Sequence, residues 1–158
     1  MNRPGPDVRP SIRQVAALPY RTADGSNDPA MPLFVLLITS RQTKRWVVPK
    51  GNLMIGKMSH EAAAIEAEEE AGVRGLVSPL PLGHFRYDKI YADGRSALAE
   101  VELFPLAVNE VRKTWLEMDQ RKRRWFAIGE AADAVDEAEL GELIRRFGDG
   151  FGPRPATR

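Results

Sequence analysis

The stretch over residues 49–73 constrains the fold more than any other part of this chain. It begins with a glycine-bearing loop and continues into a run of alanine and glutamate, which are strong helix formers. Ser59 is a suitable N-cap, because its hydroxyl can accept a hydrogen bond from a free N–H of the first turn. Gly72 suits the left-handed residue that ends many helices. The stretch therefore predicts one loop that leads into one helix.

Three glutamates occupy one face of this predicted helix. Glu66, Glu69 and Glu70 are spaced i, i+3 and i+4. Like charges at this spacing cost about 0.2–0.5 kcal/mol per pair, and these lie near the negative end of the helix dipole. One interpretation is a solvated acidic surface. The other is a cation site, because Mg²⁺ and Mn²⁺ prefer hard oxygen ligands. The loop favours the second, since Gly51 allows close approach of its carbonyl group and Lys50 adds a positive charge.

The same stretch resembles the Nudix box, the signature of the Nudix hydrolases. That box consists of Gly, five residues, Glu, seven residues, Arg-Glu, an aliphatic residue, any residue, Glu-Glu, any residue, Gly and an aliphatic residue. Its spacing holds here without a gap over residues 51–73. The matching positions are Gly51, Glu66, Ala67, Glu69, Glu70, Gly72 and Val73.

Two positions differ from the box. Lys57 stands where the first glutamate is expected, and Ile65 stands where the arginine is expected. In the family these two side chains are thought to brace the loop against the helix through a salt bridge. The resemblance therefore implies that this chain lacks that brace but keeps the metal-binding acids.

The resemblance also implies the chemistry of the site, which is Mg²⁺-dependent hydrolysis of a phosphoanhydride bond, with Mn²⁺ as an alternative cation. The implied metal ligands are the Gly51 carbonyl group and the carboxylates of Glu66, Glu69 and Glu70. One glutamate must take a proton from water, and the resemblance favours Glu66, with Glu70 as the alternative.

We expect different roles for three other acidic residues of the chain. Glu68 lies off the acidic face, so we expect it to be solvent-exposed. Many family members take a further metal-linked acid from a later loop. Glu117 and Asp119 are the candidates here, and a solvated loop charge is the alternative for both.

Two basic clusters indicate a substrate with many phosphates. The first lies over residues 41–50 and the second over residues 121–124. Either cluster alone could be a solvated surface. Together, near one metal site, they would suit a polyphosphate, because arginine forks pair with phosphate oxygens. The residues expected to bind substrate are Arg41, Arg45, Lys50 and Arg124.

Short segments outside the box indicate which branch of the family the chain resembles. Residues 39–41, 45–51 and 124–126 are similar to the diphosphoinositol polyphosphate and diadenosine polyphosphate hydrolase branch of the family. Two alternatives stay open. One is a pyrophosphatase acting on nucleoside di- or triphosphates or on nucleotide sugars. The other is a non-catalytic Nudix-like module that binds a phosphorylated ligand.

Length and composition limit the classes of protein to which this chain can belong. The 158 residues suit one domain with a sizeable core, and a formal net charge of +1 gives no case for nucleic acid or an anionic membrane as partner. There are no cysteines, which fits a reducing cytoplasm. No apolar run approaches the roughly 18 residues of a membrane span. We expect a cytoplasmic monomer or homodimer that acts on a small-molecule polyphosphate.

The order of predicted elements indicates an α+β fold. The resemblance, over residues 12–147, implies the Nudix α/β/α sandwich, with a mixed and mainly antiparallel sheet between helices. We expect a disordered tail over residues 1–10, one domain over 11–148 and a loose tail over 149–158. The predicted strands cover residues 12–20, 33–39, 46–48, 76–90 (one or two strands), 97–108 and 125–128. The predicted helices cover 60–71, 129–135 and 137–147, with a hairpin turn at 92–95 and a loop or bent strand at 111–124.

Overall fold

The computed structural model describes residues 9–151. Within this range the chain forms one eight-stranded sheet and three helices. The strands are β1 (Ser11–Thr22), β2 (Leu33–Thr39), β3 (Trp46–Val47), β4 (Lys50–Asn52), β5 (Val73–Val77), β6 (Gly83–Ile90), β7 (Ser96–Val111) and β8 (Arg123–Ala127). The helices are α1 (Ser59–Ala71), α2 (Ile128–Ala134) and α3 (Ala138–Phe151).

The sheet is mixed and mainly antiparallel, as predicted. Its central order is β3-β2-β1-β7-β5, while β4 pairs with β1, β6 with β7 and β8 with β2. Strands β1 and β7 run parallel, and the other pairs are antiparallel. Strand β7 is 16 residues long and reaches β1, β5 and β6. It therefore forms the centre to which the rest of the sheet is attached.

Helices cover both faces of the sheet, which confirms the α/β/α sandwich. Neighbouring residues of β2 enter opposite cores: Leu36 packs on the side of α1, and Leu37 packs on the side of α2 and α3. A continuous apolar run is expected for such a strand, because both of its faces are buried. Helix α1 contributes small side chains to its core, so it lies close to the sheet. These are Ala62, Ala63, Ala67 and Ala71.

Several boundaries differ from the sequence predictions. Strand β4 was predicted as loop, but its pairing with β1 makes it a strand. Strand β7 continues to Val111, so the segment that follows is a loop over residues 112–122. Residues 76–90 contain the end of β5 and all of β6, and the break between these two strands contains Pro79 and Pro81. The hairpin turn is confirmed, since the Tyr91 N–H donates to the Arg95 carbonyl oxygen at 2.8 Å.

The two predicted tails fall mostly outside the described residues. The N-terminal tail is outside them up to residue 8, and the C-terminal tail from residue 152 onward. Residues 149–151 continue helix α3, so this helix extends beyond the predicted domain boundary at 148. Among the helices of residues 9–151, none has both the length and the apolar character to cross a membrane.

Candidate active site

Strand β4 ties the glycine-bearing loop to helix α1. Lys50 donates its backbone N–H to Oε1 of Glu70 at 3.2 Å. At the next residue, a Cβ added to Gly51 would lie 2.3 Å from Oε1 of Glu66, which is closer than non-bonded atoms approach. Glycine at position 51 therefore leaves the space that the Glu66 carboxylate occupies.

The carboxylates of Glu66 and Glu70 meet at this corner. Glu70 is only 6% exposed, and its carboxylate is hydrogen-bonded to that of Glu66. Burial raises the pKa of Glu66 to about 8, helped by the bond to Glu70 and by the negative charges of Glu70, Glu69 and Glu117. Burial also raises the pKa of Glu70, against the attraction of Arg121. The hydrogen bond between the two carboxylates acts in opposite directions on the pair, because it raises the pKa of Glu66 and lowers that of Glu70.

The loop over residues 112–122 brings a further acid and a cation to the pair. Nε of Arg121 donates to Oε1 of Glu117 at 2.9 Å, and Nη2 of Arg121 lies 3.6 Å from Oε2 of Glu70. Arg121 also donates to the Thr39 carbonyl oxygen at 3.2 Å. Of the two loop acids that the sequence offered, Glu117 lines the main cavity, which lies beside the acid pair, whereas Asp119 is exposed and does not line that cavity.

Glu69 occupies the edge of this cluster. Its charge contributes to the raised pKa of Glu66, and its backbone carbonyl oxygen accepts from the Glu117 N–H at 3.1 Å. Its side chain lines a separate cavity of about 300 Å³, which also contains Ile65 and Trp115. Two of the three predicted metal-binding acids, Glu66 and Glu70, therefore line the main cavity, and Glu69 lies beside it.

The acids fit a divalent cation by their chemistry. Carboxylate oxygens are the hard donors that Mg²⁺ and Mn²⁺ prefer. Burial and the negative charges of neighbouring acids raise the pKa of Glu66 and of Glu70. A bound cation would oppose these shifts, because a nearby positive charge favours the ionised carboxylate. Within residues 9–151, however, no three His, Asp or Glu side chains are gathered as a ready-made metal cage. The fit therefore rests on the donor set rather than on a closed coordination shell.

A cavity of about 670 Å³ opens above the acids. Its walls combine acidic groups with several cations, an arrangement that suits a phosphorylated ligand beside a metal site. The charged residues that line it include Arg41, Arg45, Lys50, Glu66, Glu70, Asp88, Lys89, Glu117 and Arg121.

Three of the four predicted substrate-binding residues line this cavity. Arg41 is exposed, and its Nη1 lies 3.5 Å from Oε1 of Gln120. Arg45 is held by Glu137, with 3.1 Å between Nη1 and Oε2. Lys50 places its Nζ 4.9 Å from the ring centroid of Tyr87. Burial lowers the pKa of Lys50 to about 8, against the attraction of Glu70 and Glu137.

The fourth, Arg124, does not line the cavity. Its guanidinium lies 4.5 Å from the Phe126 ring centroid, and its Nη2 is 3.4 Å from Oε2 of Glu130 on helix α2. Alternation along β8 explains this placement, because residues 124 and 126 share a face of the strand. Arg121 occupies the cavity instead. The sequence showed the basic cluster but carried no signal for which member turns toward the acids.

The two positions that depart from the Nudix box have different surroundings. Lys57 is exposed, and Ile65 lines the small cavity next to Trp115. The predicted N-cap was wrong by one residue, because α1 already begins at Ser59 and Met58 is the N-cap. The Glu61 carboxylate accepts from the Met58 N–H at 2.8 Å. The start of the helix is thus held by Glu61 rather than by a serine hydroxyl.

Glu68 is paired rather than simply solvated. Its Oε1 accepts from Nε of Arg74 at 2.6 Å and from Nη1 of Arg112 at 3.1 Å. The side chain is 34% exposed. Glu68 therefore joins helix α1 to the neighbouring strand and loop, away from the main cavity.

Comparison with known proteins defines the class. A model of the NUDIX domain matches residues 12–147, and the chain belongs to this family. Nudix hydrolase 16, mitochondrial, of Arabidopsis thaliana is 35% identical over 114 residues, which cover 70% of this chain and 63% of that protein. Nudix hydrolase 12, mitochondrial, of the same plant is 33% identical over 145 residues, covering 82% and 69%. The chain therefore spans less than two thirds of the length of Nudix hydrolase 16.

Two further similarities come from Caenorhabditis elegans. Its bis(5'-nucleosyl)-tetraphosphatase [asymmetrical] is 25% identical over 114 residues, which cover 72% of this chain and 81% of that protein. The crystal structure of a C. elegans Ap4A hydrolase binary complex aligns with a TM-score of 0.62 at 23% identity, covering 88% of this chain and 96% of that one. This likeness confirms the fold.

Proposed function

We propose that this chain is a divalent-metal-dependent pyrophosphohydrolase that cleaves a phosphoanhydride bond in a polyphosphorylated small molecule. One arrangement carries the proposal: the Glu66 and Glu70 carboxylates meet at the base of a cavity whose walls also hold Arg41, Arg45 and Lys50. Oxygen donors suit a hard cation, and the cations suit phosphate oxygens. Membership of the Nudix family supports the same class of reaction.

The groups that would hold Mg²⁺ or Mn²⁺ are the Gly51 carbonyl oxygen and the carboxylates of Glu66, Glu69 and Glu70. Glu117 is a further candidate, because its charge already acts on Glu66. When bound, the cation supplies charge neutralisation at phosphate oxygens and acidification of water. Nudix hydrolases generally use such divalent ions.

The residues of the chain perform the remaining tasks. Glu66 acts as the general base that takes a proton from the attacking water, with Glu70 as the alternative. A base must be ionised, and the pKa of Glu66 without a cation is about 8, so the reaction needs positive charge beside this pair. Arg41, Arg45 and Lys50 bind the phosphates of the substrate and orient the bond that is cleaved.

The substrate is of the diphosphoinositol polyphosphate or dinucleoside polyphosphate type. Three observations support this choice: the cations of the cavity, the similarity of residues 39–41, 45–51 and 124–126 to that branch, and the name of the C. elegans tetraphosphatase. The alternative is a nucleoside di- or triphosphate or a nucleotide sugar. A cytoplasmic location and a monomeric or homodimeric state stay predictions.

A non-catalytic ligand-binding module is the second candidate. It is favoured by Lys57 and Ile65, which replace the family's brace, and by the raised pKa of Glu66, which disfavours the ionised form that a general base needs. The retained acids argue against it, since a module that only binds its ligand has no need of the full set.

A panel of phosphoanhydride compounds separates these functions. Purified protein is incubated with Mg²⁺ or Mn²⁺ and with nucleoside triphosphates, dinucleoside polyphosphates, nucleotide sugars and inositol pyrophosphates, and products are identified by mass. We expect turnover of an inositol pyrophosphate or a dinucleoside polyphosphate. Turnover confined to nucleoside triphosphates or nucleotide sugars would favour the alternative substrates, and no turnover on the whole panel would favour the binding module.

A further inference from the structure

The last carbonyl groups of helix α1 are satisfied by a segment that lies about 45 residues later in the chain. Helix ends leave carbonyl oxygens without partners inside the helix, and buried ones need other donors. Only the first of these oxygens, that of Glu68, accepts from the helix cap, through the Gly72 N–H at 3.0 Å. The following oxygens, those of Glu69, Glu70, Ala71 and Gly72, accept from residues 112–123.

Two side chains supply much of this cap. The indole Nε1 of Trp115 donates to the Glu70 carbonyl oxygen at 3.1 Å. Nη1 of Arg123 donates to the carbonyl oxygens of Ala71, at 2.9 Å, and Gly72, at 3.3 Å. The Arg123 guanidinium also stacks on the Trp115 ring, with 3.8 Å from Cζ to the centroid. Trp115 and Arg123, called here the helix clamp, thus form one unit against the end of α1.

Gly72 makes room for this unit. Its φ is +67°, in the left-handed region that ends helices. A Cβ at this position would lie 2.7 Å from Nη1 of Arg123 and 2.8 Å from the Trp115 ring. Glycine is therefore required both by the backbone turn and by the close approach of the two side chains.

The clamp reaches the acids through the backbone. It fixes the carbonyl oxygen of Glu70 itself, while the backbone N–H of Glu117, two residues after Trp115, donates to the Glu69 carbonyl oxygen. Arg121, which contacts Glu70, and Glu117, which pairs with Arg121, belong to the same loop. The clamp therefore fixes the relative position of the acids on α1 and those on the loop.

We propose that Trp115 and Arg123 are positioning residues for the cation site, and that they brace helix α1 from its C-terminal end in place of the missing brace at Lys57 and Ile65. This inference rests on the proposed function, because it concerns the cation held by Glu66, Glu69 and Glu70. Neither residue touches the cation or the substrate. Each acts by holding the turn that carries Glu69 and Glu70 against the loop that carries Glu117.

A purely electrostatic role for Arg123 predicts the opposite outcome. If the guanidinium acted only as a positive charge near the acids, its removal would strengthen cation binding, and a lysine would preserve the original affinity. If it acts as a clamp, removal weakens binding, and lysine fails to restore it because an ammonium group cannot reproduce the planar fork and the stacking on Trp115. The direction of the change therefore separates the two roles.

Direct titration of Mn²⁺, followed by electron paramagnetic resonance of the free ion, tests the clamp without any substrate. The variants are Arg123→Met, Arg123→Lys and Trp115→Phe, and Arg124→Met is the matched control, because Arg124 neighbours Arg123 but lies outside the cavity. We expect about tenfold weaker Mn²⁺ binding for Arg123→Met. Arg123→Lys and Trp115→Phe should each weaken it about threefold or more, and the control should match the wild type.

Urea unfolding in EDTA shows which variants are folded. Trp115→Phe keeps an aromatic ring beside Arg123 but removes the N–H donor together with part of the indole, so it tests the clamp even if Arg123→Met fails to fold. Unchanged Mn²⁺ affinity in the folded clamp variants, or tighter binding by Arg123→Met, would overturn the clamp while leaving the proposed function in place. Absence of Mn²⁺ binding by the wild-type protein would overturn both.

Discussion

The guanidinium of Arg45 is held at the cavity wall by a carboxylate from the other end of the chain. Nη1 of Arg45 lies 3.1 Å from Oε2 of Glu137, whose side chain is only 7% exposed. The second oxygen of Glu137 is buried and has no hydrogen-bond partner within residues 9–151. Glu137 also acts on Lys50, where its charge opposes the lowering of the pKa. The buried Glu137 carboxylate therefore interacts with Arg45 and Lys50, two of the side chains expected to bind phosphate.

Glu137→Gln should therefore weaken substrate binding more than turnover. Without the negative charge, Arg45 loses the closer and more buried of its two carboxylate partners, and the remaining one, the exposed Asp136 at 3.5 Å, leaves it free to turn toward solvent. We expect KM to rise about threefold to tenfold with kcat nearly unchanged, and stability to fall by about 1–2 kcal/mol because Arg45 is partly exposed. Steady-state kinetics and urea unfolding measure both quantities. Glu142→Gln, at an exposed site of α3, is the control, and an equal KM in both variants would contradict this role.

Loss of a single acid on α1 should abolish most of the activity. Glu69→Gln or Glu70→Gln keeps the size of the side chain but removes an ionised ligand, so we expect kcat to fall by about 100-fold or more. Glu68→Gln is the control on the same helix, because Glu68 pairs with Arg74 and Arg112 outside the main cavity. Similar rates for the Glu68 and Glu70 variants would remove Glu70 from the site.

Gly51→Ala tests the close approach of the loop to the acid pair. The added Cβ would lie 2.3 Å from Oε1 of Glu66, so that carboxylate must move. Because a flexible side chain can move at small cost, we expect stability to change by less than about 1 kcal/mol. Activity should fall at least tenfold, since displacement of a reacting group by about 1 Å is costly. Gly129→Ala, where nothing lies within 4 Å of the added Cβ, should leave activity unchanged.

Charge reversal at the cavity mouth should depend on position. Arg41→Glu places a carboxylate where we expect phosphate, so KM for a polyphosphorylated substrate should rise about tenfold or more, with the difference shrinking at high salt. Arg124→Glu makes the same change outside the cavity, next to Glu130. A KM that is unchanged by Arg41→Glu, or raised equally by both variants, would show that Arg41 does not bind the substrate.

Removal of divalent cations should make stability depend on pH. The pKa of Glu66 is raised to about 8 in the fold from 4.5, so the unfolded chain loses this proton first as the pH rises. The contribution that protonated Glu66 makes to the stability of the fold is complete below about pH 4.5, and it is lost as the pH rises through about 8. In EDTA we expect the unfolding free energy to fall by about 1–2 kcal/mol between pH 5 and pH 8, because solvent screens the half-buried Glu66 carboxylate.

Two controls accompany this measurement. Glu66→Gln should flatten the dependence in EDTA, and added Mg²⁺ should restore stability to the wild type at pH 8. A wild-type profile that is equally flat, or one that rises between pH 5 and pH 8, would contradict the raised pKa of Glu66.

The sequence predicted the parts of the fold whose signals are local. The continuous apolar run of β2 indicated a strand buried on both faces, and Gly72 indicated the end of α1. The N-cap was misplaced by one residue because two adjacent arrangements were possible, and the Glu61 carboxylate favoured Met58 over Ser59.

The parts that depend on distant pairing could not be read from the sequence. Arg124 was chosen from the basic cluster, but the pairing of β8 with β2 turns it toward α2, and the loop before β8 sends Arg121 to the acids. Trp115 and Arg123 carried no sign of their role, because their partners lie about 45–52 residues earlier in the chain. Irregular loops have no period, so spacing gave no direction for these side chains.

The two halves of the long strand β7 support different parts of the site. Its first half forms the hairpin with β6, whose tip around Tyr91 borders the cavity, while its second half pairs with β5 directly after helix α1. A longer, shorter or differently composed turn at that tip would reshape the cavity mouth while the acids keep their own support. Relatives with different ligand preferences could thus arise through changes in one exposed turn, while the residues proposed to cleave the bond stay the same.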